Sequence, residues 1–292
     1  MRMVAVGLLA MASLAMAAPD LNESFNALKE VVEKKDFTDA KNLAEAVAKD
    51  AKGVLAEPQP SSASEAEAWK ARNDFAKQAD DYAEYALSVG VVTAPALAVS
   101  LGDTLLEKNA KSKHVDTMAA AYLSALAKEG NAKASAGAQK ILAGRPDNED
   151  ALYTLSSGNA TYANRLVTVM RSKPKPEGVS DADWDKKKSF MIGNGLYMAG
   201  ANACSRQAWA DCDRSLRGAE PYMKGNNQML GNVYFYLGVA NFQLGSVTQD
   251  RNRMQQGLNY SKQAAGIAGP MQGQASTNVA AMTKQLGTPA RR

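Results

Sequence analysis

The sequence predicts an all-α fold, an α-solenoid of antiparallel helix hairpins, on three observations. First, two segments 45 residues apart echo each other: Ile192-Gly-Asn-Gly-Leu-Tyr-Met-Ala-Gly200 and Leu237-Gly-Val-Ala-Asn-Phe-Gln-Leu-Gly245. Each runs from a bulky aliphatic through Gly, a small residue and an aromatic to a closing Gly, and a fixed period of this size marks an array of helical units. Second, apolar residues elsewhere step by three and four, while Val and Ile form no alternating runs bounded by turns, so no strand is expected. Third, Ala is abundant and aromatics make up 7% of the chain, a composition suited to closely packed helices with small contact residues. At 292 residues such an array needs no single round core, and arrays of this kind usually bind other proteins.

The elements follow in order. Arg2, the apolar stretch Met3 to Met16 and the small-residue site Ala15-Met16-Ala17 read as a signal peptide over 1–17, cleaved after Ala17 or Ala18. The stretch is too short to span a membrane. Leu21, Phe25, Leu28 and Val32 mark one helix face, Lys34-Lys35-Asp36 a turn, and Phe37, Ala40, Ala44 and Val47 a second helix ending near Gly53. Together they make an N-terminal hairpin over 18–57. After the loop Pro58-Gln-Pro60, a block over 61–172 holds a long helix, 64–89, with Trp69, Phe75, Tyr82 and Tyr85, closed by Gly90 and Pro95. Helices at 96–109, 114–129, 132–143, 149–158 and 160–172 complete it. Pro146-Asp-Asn-Glu-Asp150 is a helix start, with acidic residues where the N-terminus is electropositive. Pro174-Lys-Pro176-Glu-Gly178 is a linker, and Ser180-Asp-Ala-Asp183 resembles a capping box. Helices at 182–200, 206–219, 226–244, 251–268 and 271–286 fill 180–287, and 288–292 reads as a disordered tail.

Gly193 and Gly238 have a physical reason. Gly costs up to about 1 kcal/mol inside a helix, so a close helix crossing must offset it. Ala210, Cys212 and Ala219 are the matching small residues on the second helix. The pattern resembles the tetratricopeptide repeat, a superhelical array. Tyr234, Leu237-Gly238 and Leu244-Gly245 fit that family's first helix, with Phe242 displaced by one from the usual aromatic place, held by Asn241. Ile192-Gly193, Leu196, Tyr197 and Gly200 fit the preceding unit, while Cys212, Leu216, Ala219 and Pro221 fit a second helix. The family period is normally 34 residues, and the difference suggests a lengthened turn between Ser246 and Gln256. The chain is also similar to secreted bacterial tetratricopeptide proteins.

The resemblance implies that first helices line a concave face. Its exposed positions would be Lys187, Phe190, Asn194 and Tyr197 in one unit and Asn232, Phe235, Val239 and Phe242 in the next. Phe190 would stack near Phe235, and Tyr197 near Phe242. Aromatics in such a groove suit an apolar peptide or helix, with the Asn side chains holding its backbone. The blander reading is that these rings fill the space between units.

Cys204 and Cys212 are the two cysteines of the chain. In an oxidising compartment they can pair across a predicted helix–helix turn, or Cys212 can serve as a small core residue. Their spacing is not that of a zinc or haem site. No metal or cofactor is expected. His114 stands alone in Lys111-Ser-Lys113-His114, and neither a phosphate loop nor a nucleophile elbow is present, so an enzyme is not expected. Losing Arg2 with the leader lowers the formal charge from +4 to +3, too little to argue for nucleic acid. Lys186-Lys187-Lys188 reads as a solvated helix face. Asn22, Asn159 and Asn259 sit in glycosylation triplets and are read as incidental. The expectation is a non-enzymatic scaffold, periplasmic or secreted, that binds a protein or peptide partner. A small-ligand or glycan binder using the aromatic groove is the alternative, and a closed apolar pocket between Trp69 and Tyr82 or Tyr85 would favour it.

Overall fold

A computed structural model describes residues 21–287. The predicted signal peptide, 1–17, and tail, 288–292, lie outside the described residues. The described chain is all-helical, with thirteen α-helices and a short 3-10 turn. No described helix is long and apolar enough to cross a membrane. The helices form two compact units that divide between Lys108 and Asn109, inside the block predicted over 61–172.

The first unit contains α1 (Leu21–Glu33), α2 (Phe37–Leu55), α3 (Ala63–Thr93) and all but the last residue of α4 (Ala98–Asn109). Helices α1 and α2 pack on each other across a short connection. Lys35 takes a left-handed φ of 58° at its turn, and the Asp36 side chain caps α2 by accepting from Asp39 N at 3.2 Å. Helix α3 runs past its predicted end at 89. Gly90 is no terminator, because a Cβ there would lie 2.7 Å from Leu101 Cδ1 and 2.8 Å from Phe37 Cδ1. It is a point where Phe37 of α2 and Leu101 of α4 press on α3. Lys108 then ties α4 to α3 by donating to Asp80 at 2.6 Å and Glu84 at 3.0 Å.

The second unit contains α5 (Val115–Glu129), α6 (Asn131–Gly144), α7 (Glu149–Ser156), α8 (Ala160–Ser172), α9 (Asp181–Ser205), α10 (Trp209–Ala219), a 3-10 turn (Glu220–Met223), α11 (Asn227–Thr248), α12 (Arg251–Ala265) and α13 (Gln272–Gly287). Each α-helix packs on the next, and the odd-numbered helices also touch in succession: α5 on α7, α7 on α9, α9 on α11 and α11 on α13. Two of the start signals hold in detail. Asn148 caps α7, accepting from Ala151 N at 2.9 Å. Ser180 caps α9, accepting from Asp183 N at 3.1 Å while its hydroxyl donates back to Asp183 Oδ2 at 2.7 Å.

The lengthened turn does not exist. Helix α11 continues to Thr248 and α12 begins at Arg251, so Gln249 and Asp250 make the whole connection. The long period comes from the helices, 25 residues in α9 and 22 in α11. Gly200 and Gly245 therefore lie inside helices. They mark crossings: a Cβ on Gly245 would lie 2.6 Å from Met254 N, and one on Gly200 2.6 Å from Leu216 Cγ. Gly238 meets Ser261 and Gly257 of α12, as the small-residue argument requires, but Gly193 meets Tyr222 of the 3-10 turn. Ala210 is exposed and takes no part in the contact assigned to it, while Cys212 and Ala219 are buried.

Cys204 and Cys212 form a disulfide with Cα atoms 5.1 Å apart. It closes the turn Arg206–Ala208, where Gln207 has a φ of 61°. Both cysteines are buried.

Candidate functional site

Helices α5, α6, α7 and α9 of the second unit line a groove of about 430 Å³. Its floor is small: Ala120, Ser124 and Ala127 come from α5, Ala134 and Ser135 from α6. Small residues recur there because the helices approach closely, and that leaves room above them. Asp150, Tyr153 and Thr154 of α7 and Met191 of α9 supply the chemistry of the wall. Asp150 and Tyr153 share a face because helix neighbours are three or four apart. On α9, Lys187 and Phe190 repeat that spacing. The two pairs meet: Lys187 Nζ donates to Asp150 Oδ2 at 3.3 Å, and the Tyr153 and Phe190 rings are 5.7 Å apart.

The charges behind the groove are unequal. Glu149 is buried and accepts from both Lys173 and Lys187, the latter at 2.8 Å. Burial raises its pKa, but the two lysines outweigh burial and hold it below the ordinary carboxylate value. Asp150, equally buried, has Lys187 alone as its ion-pair partner among the described residues, at the longer distance. Burial pushes its pKa up, the Glu149 charge adds to that, and the opposing charges of Lys187 and Lys173 do not compensate. The pKa of Lys187 is raised, since its two carboxylates outweigh its own burial. Tyr153 is raised by burial.

The residues expected on a concave face divide accordingly. Phe190 is 52% exposed, at the groove's edge. Asn194 donates its amide to Phe190 O at 2.8 Å, which occupies one of the donors assigned to a partner's backbone. Lys187 is half-buried and committed to Glu149 and Asp150, so it is not a free cation. Tyr197, Asn232, Phe235 and Val239 are partly exposed. Asn232 hydrogen-bonds Tyr197.

Phe242 is a correction. It is 6% exposed and packs with Met254, Leu258 and Met282 in the core beneath α12 and α13. Asn241, which holds the family's aromatic place, is itself fully buried, so neither position opens to solvent. The expected ring pairs change as well. Phe190 lies tilted against Tyr153 instead of Phe235, and Tyr197 against Tyr236, 6.4 Å away, instead of Phe242. Phe235 lies against its neighbour Tyr236 at 5.2 Å.

Sequence reasoning missed Asp150 and Tyr153 as groove residues because the helix-start signal explained the acidic run. A readable trace existed: Asp150-Ala-Leu-Tyr153 and Lys187-Lys-Ser-Phe190 share a charge–aromatic spacing with opposite charges, 37 residues apart. The network around Asp213 was also missed. Asp213 accepts from Arg217 at 2.9 and 3.0 Å, Asn241 at 2.6 Å and Arg253 at 3.3 Å. It joins α10, α11 and α12.

Elsewhere, a cleft of about 390 Å³ near the start of α7 is lined by Asp116, Arg145, Asn148 and Lys173. Its charges pair internally, Arg145 with Asp116 and Lys173 with Glu149. His114 sits half-buried at the N-cap of α5, not fully solvated. In the first unit, Trp69 donates its indole N–H to Glu57 O at 3.1 Å and lines a depression with Gln59, Asn73 and Lys77, which neither Tyr82 nor Tyr85 joins. Thirteen residues separate Trp69 from Tyr82, about 20 Å along a helix. The closed pocket that favours a small ligand is therefore not formed there. Among the described residues no cluster suited to a metal ion occurs.

No protein-family model matches the chain, and neither a curated protein nor a solved structure matches it.

Proposed function

We propose that residues 115–287 form a tetratricopeptide-like α-solenoid and that the protein is a non-enzymatic scaffold whose first-helix face holds a partner segment. One observation carries this reading. The odd-numbered helices touch in succession, and the groove lined by α5, α6, α7 and α9 lies beside exposed Phe190. An exposed aromatic beside a cleft floored by small residues suits capture of a peptide or helix. The buried disulfide supports export to an oxidising compartment, in line with the leader read from 1–17.

The test is photo-crosslinking in intact cells from a probe at Asn194, on the same α9 face as Phe190. Phe190→Ala combined with Phe235→Ala is expected to remove the crosslinked partner while circular dichroism shows unchanged helical content. An unchanged crosslink pattern in the double variant overturns the groove assignment.

A further inference from the structure

We propose that the open face of α9 and α11 selects against charge, and that its occupant is a peptide segment whose residues there are uncharged. The proposal rests on the peptide-groove reading and adds which side chains the groove accepts and which it rejects.

Three observations carry it. First, charge is segregated between the helices. Globular chains average about one charged residue in four and this chain holds 22%, yet the 22 residues of α11 include no Asp, Glu, Lys, Arg or His. Residues Ser189 to Ser205 of α9 include none either. Helix α10, only 11 residues long, carries Asp211, Asp213, Arg214 and Arg217. Second, burial does not explain the gap. Asn194 on α9 and Asn232, Phe235 and Val239 on α11 are partly exposed, and Phe190 and Gln243 are open to solvent. These positions step by three and four, so each set shares one face of its helix. The two sets adjoin, since Asn232 hydrogen-bonds Tyr197 and the Tyr197 and Tyr236 rings are 6.4 Å apart. Third, the groove beside Phe190 adds no unpaired charge: Asp150, its one charged lining residue, is ion-paired to Lys187.

The fold gives no reason for the exclusion. Lys and Glu form helices better than Asn and Val do, and an open position takes a charge without burying it. Surfaces that serve solubility alone intersperse both signs. A face that carries rings and amides and omits both signs is better explained by what it holds. A charged side chain brought onto it loses water and gains no counter-ion, a penalty that a neutral side chain does not meet. Ring faces attract cations only weakly where water remains. The Asn194 amide gives one N–H to Phe190 O and keeps its oxygen and second N–H for a peptide backbone.

The purified protein is titrated into pooled, fluorescein-labelled, end-capped nonapeptides whose flanks are randomised over uncharged residues. The central residue is Leu or Gln in one series and Lys or Glu in the other. Fluorescence anisotropy is expected to show the Leu and Gln pools binding at least tenfold more tightly than either charged pool. Val239→Glu should raise affinity for the Lys pool at least tenfold and leave the Glu pool weak. Lys262→Gln changes the net charge by the same amount at an exposed position of α12, and should leave every pool unchanged. Should Val239→Glu lose helical content, Gln243→Glu, exposed and nearly isosteric, carries the same comparison. Equal binding of all four pools, with all weakened by Phe190→Ala, overturns the selection and leaves the groove reading standing. Tighter binding of the Lys or the Glu pool to the unaltered protein overturns the selection as well. Binding of no pool overturns both. Full displacement of the Leu pool by maltoheptaose overturns the peptide occupant in favour of a neutral glycan.

Discussion

The pairs α9–α10 and α11–α12 carry the two echoing segments, yet they are held together by different means. At α9–α10 a covalent bond does much of the joining: Cys204–Cys212 closes the turn, and a Cβ on Gly200 would press on the flexible side chain of Leu216 at 2.6 and 2.9 Å, with the nearest main-chain atom, Cys212 O, at 3.4 Å. At α11–α12 there is no disulfide, and backbone meets backbone. A Cβ on Gly257 would lie 2.6 Å from Phe242 N, 2.8 Å from Gly238 O and 2.9 Å from Phe242 Cα. Polar bonds reinforce this second pair, with Arg217 of α10 reaching Asn241 at 3.1 Å, Tyr260 at 3.1 Å and Gln256 at 3.2 Å. The echoing glycines differ in the same way: Gly200 marks a tolerant contact, and Gly245 an intolerant one, where a Cβ would meet Met254 N at 2.6 Å and Asp250 O at 2.7 Å. What decides is whether the opposing atoms can move.

The largest effect should come from breaking the intolerant contact. Gly257→Val places a branched side chain against main-chain atoms that cannot retreat, and overpacking of this kind costs about 1–3 kcal/mol or more. Gly200→Ala, opposite Leu216, should cost less than half as much, because a leucine can change rotamer. Urea denaturation of the two variants measures the difference. Equal destabilisation would show that the two contacts are equivalent after all.

Next in size is the staple. Cys204→Ala with Cys212→Ala should lose about 2–3 kcal/mol, the range for a short closed loop. The loss should appear in the wild type when reductant is added and be absent from the double variant. Adding reductant to Gly257→Val should lower its stability by a similar amount, since the two pairs do not share the bond. Thermal melts with and without dithiothreitol read this directly. No reductant effect on the wild type would remove the proposed distinction between the pairs.

The comparison also explains how far the sequence was legible. Helix positions followed from step-three and step-four apolar patterns and from caps such as Asn148 and Ser180, which act within a few residues. The ends of α3, α9 and α11 did not follow, because Gly90, Gly200 and Gly245 look the same whether they stop a helix or admit a neighbour. Only the opposing chain distinguishes the two, and that chain lies far off in sequence. The site was legible in part for the same reason. Phe190 is placed on an open face by its own helix, whereas the burial of Phe242 depends on α12 and α13. The role of Asp150 depends on which of two adjacent carboxylates Lys173 and Lys187 reach.

That asymmetry yields the smallest predicted effect, a pH dependence confined to the start of α7. Glu149 has its pKa held below 4.5 despite burial, because Lys173 and Lys187 bond to its charged form. Its contribution to stability is therefore complete above the unfolded carboxylate pKa and is lost as pH falls through the lower folded value. Asp150 acts in the opposite sense. Its folded pKa is raised above 3.8, so its charged form opposes folding above that raised value, and protonation on acidification relieves the penalty. The two carboxyls partly cancel, and the wild type should lose only modest stability from this region between pH 5 and pH 3. Glu149→Gln should flatten the acid limb, while Asp150→Asn should steepen it by removing the relief. Urea midpoints measured across that range test the signs. Identical acid limbs in the two variants would mean that Lys187 is shared evenly, and the uneven distribution of charge behind the groove would fall with it.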